Sequence, residues 1–179
     1  WMSRTHAPLA LLVALTLALA GCGGVDKRGH KSDTAHSPTA AFASEEEALA
    51  AAVAVYDHFT RTSDLIAQEG GRDADRLSMT ASGPLLEQSV EGFGRWLDQG
   101  WRQIGSRSFH DATLQQLSKD GVVIYLCEDI SQVDVVDANG TSVVDANRSD
   151  SNYLQVGFET ADDGLLRVSS RDRWDARSC

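Results

Sequence analysis

At residue 102 the periodicity of this chain changes. From residue 44 up to it, apolar residues recur at every third or fourth position; after it, short apolar stretches are separated by turn dipeptides. Helices first and strands afterwards is the order of an α+β domain, with helices packed on one face of an antiparallel sheet. Ser44-Glu45-Glu46-Glu47 reads as a capping box, placing three acids at the positive end of the first helix dipole. Leu49, Ala52, Val53, Tyr56, Phe59, Ser63 and Ile66 then share one helical face, and Gly70-Gly71 stops the helix. Asp73 is the expected cap of a short second helix running through Met79. Gly83-Pro84 opens a third, whose apolar face is Leu86, Val90, Phe93, Leu97 and Trp101 and whose end is expected near Gly100.

Three dipeptides punctuate the second half: Asp120-Gly121, Asn139-Gly140 and Asp163-Gly164. Each suits the positive φ angles of a tight hairpin. The strands expected around them are Phe109–Leu117, Val122–Cys127, Val133–Val136, Thr141–Val144, Tyr153–Phe158 and Leu165–Trp174. Leu154, Val156 and Phe158 alternate as on a sheet with one buried face.

The N-terminus carries a different signal. Met2 to His6 holds one fixed positive charge, Arg4, and an apolar run from Ala7 to Ala20 follows. That run is shorter than the roughly 20 apolar residues of a permanent membrane helix. It fits the core of a secretory signal. It ends in Leu19-Ala20-Gly21-Cys22, which resembles the bacterial lipobox, so Cys22 is the expected site of lipidation and the new N-terminus. Trp1, ahead of the plausible start Met2, fits no signal logic and is taken as extraneous. Residues 23–43 are Gly, Ala, Ser, Thr, His, Asp and basic residues apart from Val25, Pro38 and Phe42, a tether reaching about 25 Å r.m.s. as a coil. The chain thus divides into a signal peptide (1–21), a lipidated tether (22–43) and a globular domain (44–179).

Cleavage before Cys22 removes Arg4 and no acid, leaving a chain one charge more negative than the formal −10 of the whole. Only Lys27, Lys31 and Lys119 supply lysine, and no basic stripe exists. Phosphate-led nucleic-acid binding is therefore excluded. With Cys22 lipidated, Cys127 and Cys179 remain. An even pair in an exported chain reads as a disulfide, and the close Cys-x-x-Cys spacing of a metal or redox pair is missing.

Several pieces now coincide: the three helices, the third ending at Gly100-Trp101-Arg102; Tyr125-Leu126-Cys127-Glu128-Asp129; and Val135-Val136-Asp137-Ala138-Asn139-Gly140. Over roughly residues 44–179 the chain resembles actinobacterial lipoproteins with a nuclear transport factor 2-like domain. The resemblance implies three helices over a strongly bent antiparallel sheet, forming a cone with a pocket at its open end, and pairing of two copies through the sheet. Enzymes of that cone fold, such as ketosteroid isomerases and dehydratases, use a pocket carboxylate or a His–Asp pair for proton transfer. The residues of those types here are Tyr56, Asp57, His58, His110, Asp111, Glu128 and Asp129. Asp57 and His58 fall off the buried helix face. His110 and Asp111, adjacent on a strand, are expected on opposite faces and so unable to pair. Asp129 is expected to cap a strand end.

No nucleophile motif, phosphate-binding glycine loop or metal-ligand spacing occurs, and no cofactor or metal is expected. The expected pocket residues are Tyr56, Trp96, Trp101, His110 and Trp174. The reading is a non-catalytic, membrane-anchored envelope lipoprotein that binds a small ligand or an envelope protein. Two rivals stand beside it: a cone-fold enzyme acting on an apolar small molecule, and an assembly subunit of a secretion or conjugation apparatus.

Overall fold

In the first helix of the computed structural model, α1 (Glu45–Gln68), Ser44 Oγ accepts from the Glu47 N–H at 3.1 Å. The Glu47 carboxylate reaches back to the Ala43 N–H at 2.8 Å, so both halves of the cap form. The structure describes residues 42–174 and 177–179. Trp1, the expected signal peptide, Cys22 and the tether as far as residue 41 lie outside the described residues. Gly70 and Gly71, at φ 75° and 86°, end α1.

The short second helix is a 3-10 helix, Ala74–Met79. Asp73 precedes it in the left-handed region and makes no side-chain cap bond, contrary to the expectation. The third helix, α2 (Gly83–Gln99), carries Pro84 in its first turn and closes on Gly100 at φ 65°. No residue of α2 is fully buried, and Leu97 is 51% exposed. Its apolar face is therefore only half covered.

Among the described residues six strands follow: β1 (Arg102–Ile104), β2 (Ser108–Leu117), β3 (Gly121–Asp129), β4 (Asp134–Val136), β5 (Ser151–Thr160) and β6 (Leu166–Arg173). The main sheet is antiparallel in the order β2-β3-β5-β6, and β1 pairs with β4 in a separate two-stranded sheet. Thr141–Val144, expected as a strand, makes one bridge, Ser142 to Val136. The Asp137 carboxylate takes the Asn139 and Thr141 N–H groups at 2.9 Å each, and side-chain bonds of this kind compete with a ladder. β4 pairs instead with Arg102–Ile104, to which the sequence pattern assigned no strand.

Alternation fills the space between the layers. Ala48, Ala52, Tyr56, Phe59 and Ile66 of α1 meet Val122, Ile124 and Leu126 of β3, Leu154, Val156 and Phe158 of β5, and Val168 of β6. The result is α+β, helices on one face of a bent antiparallel sheet. The sheet is open, with β2 and β6 as its edges. The bends come from bulges in β2 and between β5 and β6. Gly121, expected to supply a turn angle, serves instead by its size: a Cβ there would lie 2.0 Å from the Phe158 carbonyl oxygen.

Cys127 and Cys179 are joined by a disulfide across 52 residues, with Cα atoms 5.6 Å apart. It holds the chain end on the outer face of the sheet. Among the described residues, no helix is long and apolar enough to cross a membrane.

Candidate functional site

On β3 the core-facing positions read Val122, Ile124, Leu126 and then Glu128, a carboxylate 1% exposed. A buried charge must be paired or it costs several kcal/mol, roughly. The partners arrive from α1, from β6 and from the loop before β2. Tyr56 of α1 donates its hydroxyl to Glu128 Oε1 at 3.1 Å, and Arg171 of β6 pairs with Oε2. Arg171 Nε also donates to Tyr56 Oη at 3.2 Å, and Arg107 Nη1 stands 3.7 Å from Oε1.

Arg107 is anchored a second time. Asp64 accepts from its Nε at 2.7 Å and from its backbone N–H at 2.9 Å. Tyr56, Thr60 and Asp64 are spaced four apart, so they form a polar stripe along the buried side of α1. The Thr60 carbonyl accepts from Arg107 Nη2 at 3.4 Å, while its buried Oγ1 has no partner among the described residues.

Burial pushes the Tyr56 hydroxyl up to about 12, with Glu128 adding to the shift and Arg171 opposing it. Tyr56 is therefore a neutral donor at physiological pH. Burial disfavours the Arg171 charge, but Tyr56 and Glu128 more than offset this and raise its pKa above the ordinary arginine value.

Arg171 reaches the interior through a bulge. Val168 faces inward, and three residues on, a regular strand would point outward. Phe158 pairs with Val168 and Gly157 with Ser170, so Ser169 is the extra residue and Arg171 turns in. Gly157 makes room for this: a Cβ there would sit 2.5 Å from Ser170 Oγ.

Beside the network lies a cavity of about 240 Å³ between α1, α2 and β6. Phe59 and Ser63 line it from α1, Leu85, Ser89, Phe93 and Trp96 from α2, and the arginines Arg107 and Arg171 complete the wall. Glu128 and Asp64 are not part of that wall. A wider hollow of about 610 Å³, bounded by Asp57, Asp64, Leu65, Arg107 and Phe109, flanks α1 elsewhere.

Of the expected pocket residues, Tyr56 is in the network and Trp96 lines the cavity. Trp101 packs edge-on against Trp96 at 6.4 Å, outside the cavity. His110 and Trp174 are on the opposite face of the sheet, where Trp174 and Tyr153 both pack on Tyr125. His110 and Asp111 do pair, at 2.9 Å, against the expectation. Asp111 sits at φ 55° in the β2 bulge, which cancels the strand alternation. These two residues and Cys127 place ligand-type atoms within 4.8 Å of one another, but the Cys127 sulfur is bonded to Cys179. Two ligands remain, too few for a protein metal site.

Asp57 pairs with Arg61 on the surface, and His58 is exposed. Asp129 accepts from the Ser131 N–H at 2.8 Å, which holds its carboxyl below the usual range. Sequence reasoning missed Asp64, Arg107 and Arg171. Asp64 carried a readable signal, eight residues beyond Tyr56 on the same helical face.

No protein-family model matches the chain, and no curated protein matches it. Solved structures do. The intermembrane space region of the chloroplast protein ARC6 superposes with a TM-score of 0.50 at 11% identity, covering 68% of this chain and 92% of that one. A Catenulispora acidiphila protein in complex with S-DNPA gives 0.44 at 14% identity over 69% of this chain and 92% of its own. Aln2 from a Streptomyces species gives 0.41 at 16% over 69% and 88%. At such identities the likeness to the ARC6 region concerns the fold alone: helices followed by an open antiparallel sheet.

Proposed function

We propose that this chain is a lipid-tethered extracytoplasmic binding protein that holds a small molecule in the cavity beneath α2 without transforming it. The engagement of Glu128 carries the reading. A general base needs a lone pair within reach of the substrate proton. Glu128 is bonded by Tyr56 and Arg171, faces Arg107, and contributes nothing to the cavity wall. That wall is mostly apolar with a few convergent polar groups, the usual make-up of a small-molecule site. Leu19-Ala20-Gly21-Cys22 supports the anchor, and a disulfide belongs to an oxidising compartment.

Two measurements test this. Cells fed an alkyne fatty acid should label the wild-type chain in the membrane fraction and leave Cys22→Ser unlabelled; label independent of Cys22 overturns the anchor. Purified protein incubated with a solvent extract of its own envelope should enrich a compound of unchanged mass. A new mass formed by native but not by heat-denatured protein overturns the non-catalytic reading in favour of the enzyme. Enrichment of nothing removes the binding role and leaves assembly.

A further inference from the structure

Resting on the binding reading, we infer that the cavity beneath α2 takes a small amphipathic anion, a compact aromatic or branched acid whose carboxylate meets Arg107 and Arg171. Both arginines line the cavity, and the acids that neutralise them do not. The ligand therefore meets cationic groups whose counter-charges are turned away. Each guanidinium keeps donors in reserve. Arg171 spends Nε on Tyr56 and Nη2 on Glu128, and Arg107 spends Nε on Asp64 and Nη2 on the Thr60 carbonyl. Among the described residues, neither Nη1 makes a hydrogen bond, Arg107 Nη1 having only the 3.7 Å ion-pair contact with Glu128.

Bonds from a guanidinium to a carboxylate are the strong, charge-assisted kind. Ser63, 7% exposed, adds a hydroxyl-bearing residue to the same wall. Phe93 and Trp96, packed edge to face at 6.0 Å, supply apolar wall beside the charges.

Size is compatible with the class. A cavity of ~150 Å³ already holds benzene, so 240 Å³ holds one ring with a short acidic arm. The acidity of the whole chain slows the approach of an anion, but only within a Debye length of about 8 Å at physiological salt.

The test is a titration of the full-length mature protein with three probes of one shape: phenylacetate, phenylacetamide and phenethylamine. Trp96, in the cavity wall, is the fluorescence reporter, with Trp96→Phe as the blank. The expected result is phenylacetate binding at least about tenfold tighter than the amide, with the amine weakest. Arg171→Gln should abolish that preference. Because this variant leaves Glu128 short of a partner, Ser89→Leu provides a second arm: it fills the cavity without touching the network and should block all three probes at unchanged melting temperature. Equal affinities for the three probes would overturn the anionic class while leaving a binding cavity in place. No binding by any probe up to about 10 mM, the range expected for a ten-atom ligand, would overturn both readings.

Discussion

Glu128→Gln is nearly isosteric, yet it removes the only acid that Arg171 contacts among the described residues. Arg107 keeps Asp64, so the unbalanced charge falls on Arg171. Removing one member of a buried pair costs about 3–5 kcal/mol, because the other charge stays out of water without compensation. The Arg171 side chain is 26% exposed and the new amide still accepts from Tyr56, so the lower end, about 3 kcal/mol, applies. In a domain of this size that lowers Tm by roughly 10 °C. Thermal and urea unfolding, followed by circular dichroism, read the loss. Arg171→Met removes the charge that Glu128→Gln strands, so the double variant should lose at least about 1 kcal/mol less than the two single losses combined. Glu128→Gln within about 0.5 kcal/mol of wild type would refute the claim that this carboxylate is the keystone of the network.

Tyr56 makes the fold alkali-sensitive. Its pKa rises from 10.0 unfolded to about 12 folded, so its contribution is whole below pH 10 and is lost as pH rises toward 12. The loss is roughly 2–3 kcal/mol across that window, measured by urea unfolding at stepped pH; Tyr56→Phe should flatten the slope. Cys179→Ser, or reduction with a dithiol, frees the chain end and should cost about 2–4 kcal/mol; an unchanged urea midpoint would contradict the bridge. Gly157→Val crowds Ser170 at the β5–β6 bulge and should cost about 1–3 kcal/mol by the same assay, partly recovered by adding Ser170→Gly.

The helices and five of the strands were legible because periodicity carries them: the Ser44 cap, the Gly70-Gly71 stop and the alternation in β5 are local signals. The interior polar network was half legible. Tyr56 and Glu128 fall on the expected buried faces, and Asp64 lies on the same stripe as Tyr56. Arg171 was hidden because strict alternation from Val168 points it at solvent, and only the extra residue Ser169 reverses it. The His110–Asp111 pair was misjudged for the same reason, a bulge that adjacent-residue parity cannot anticipate. β1 and the weak Thr141–Val144 segment depend on which partner β4 finds, a long-range choice that no local pattern encodes.

The central claim, a tethered domain that carries a small molecule unchanged, is open to one measurement: the native mass spectrum of the protein extracted in detergent from its own envelope. The expected spectrum is that of a chain beginning at Cys22 with acyl groups attached and one small, acidic molecule bound per domain, absent from Ser89→Leu. A chain that begins at Met2 without acyl groups, or an acylated chain with nothing bound that Ser89→Leu lacks, would contradict it.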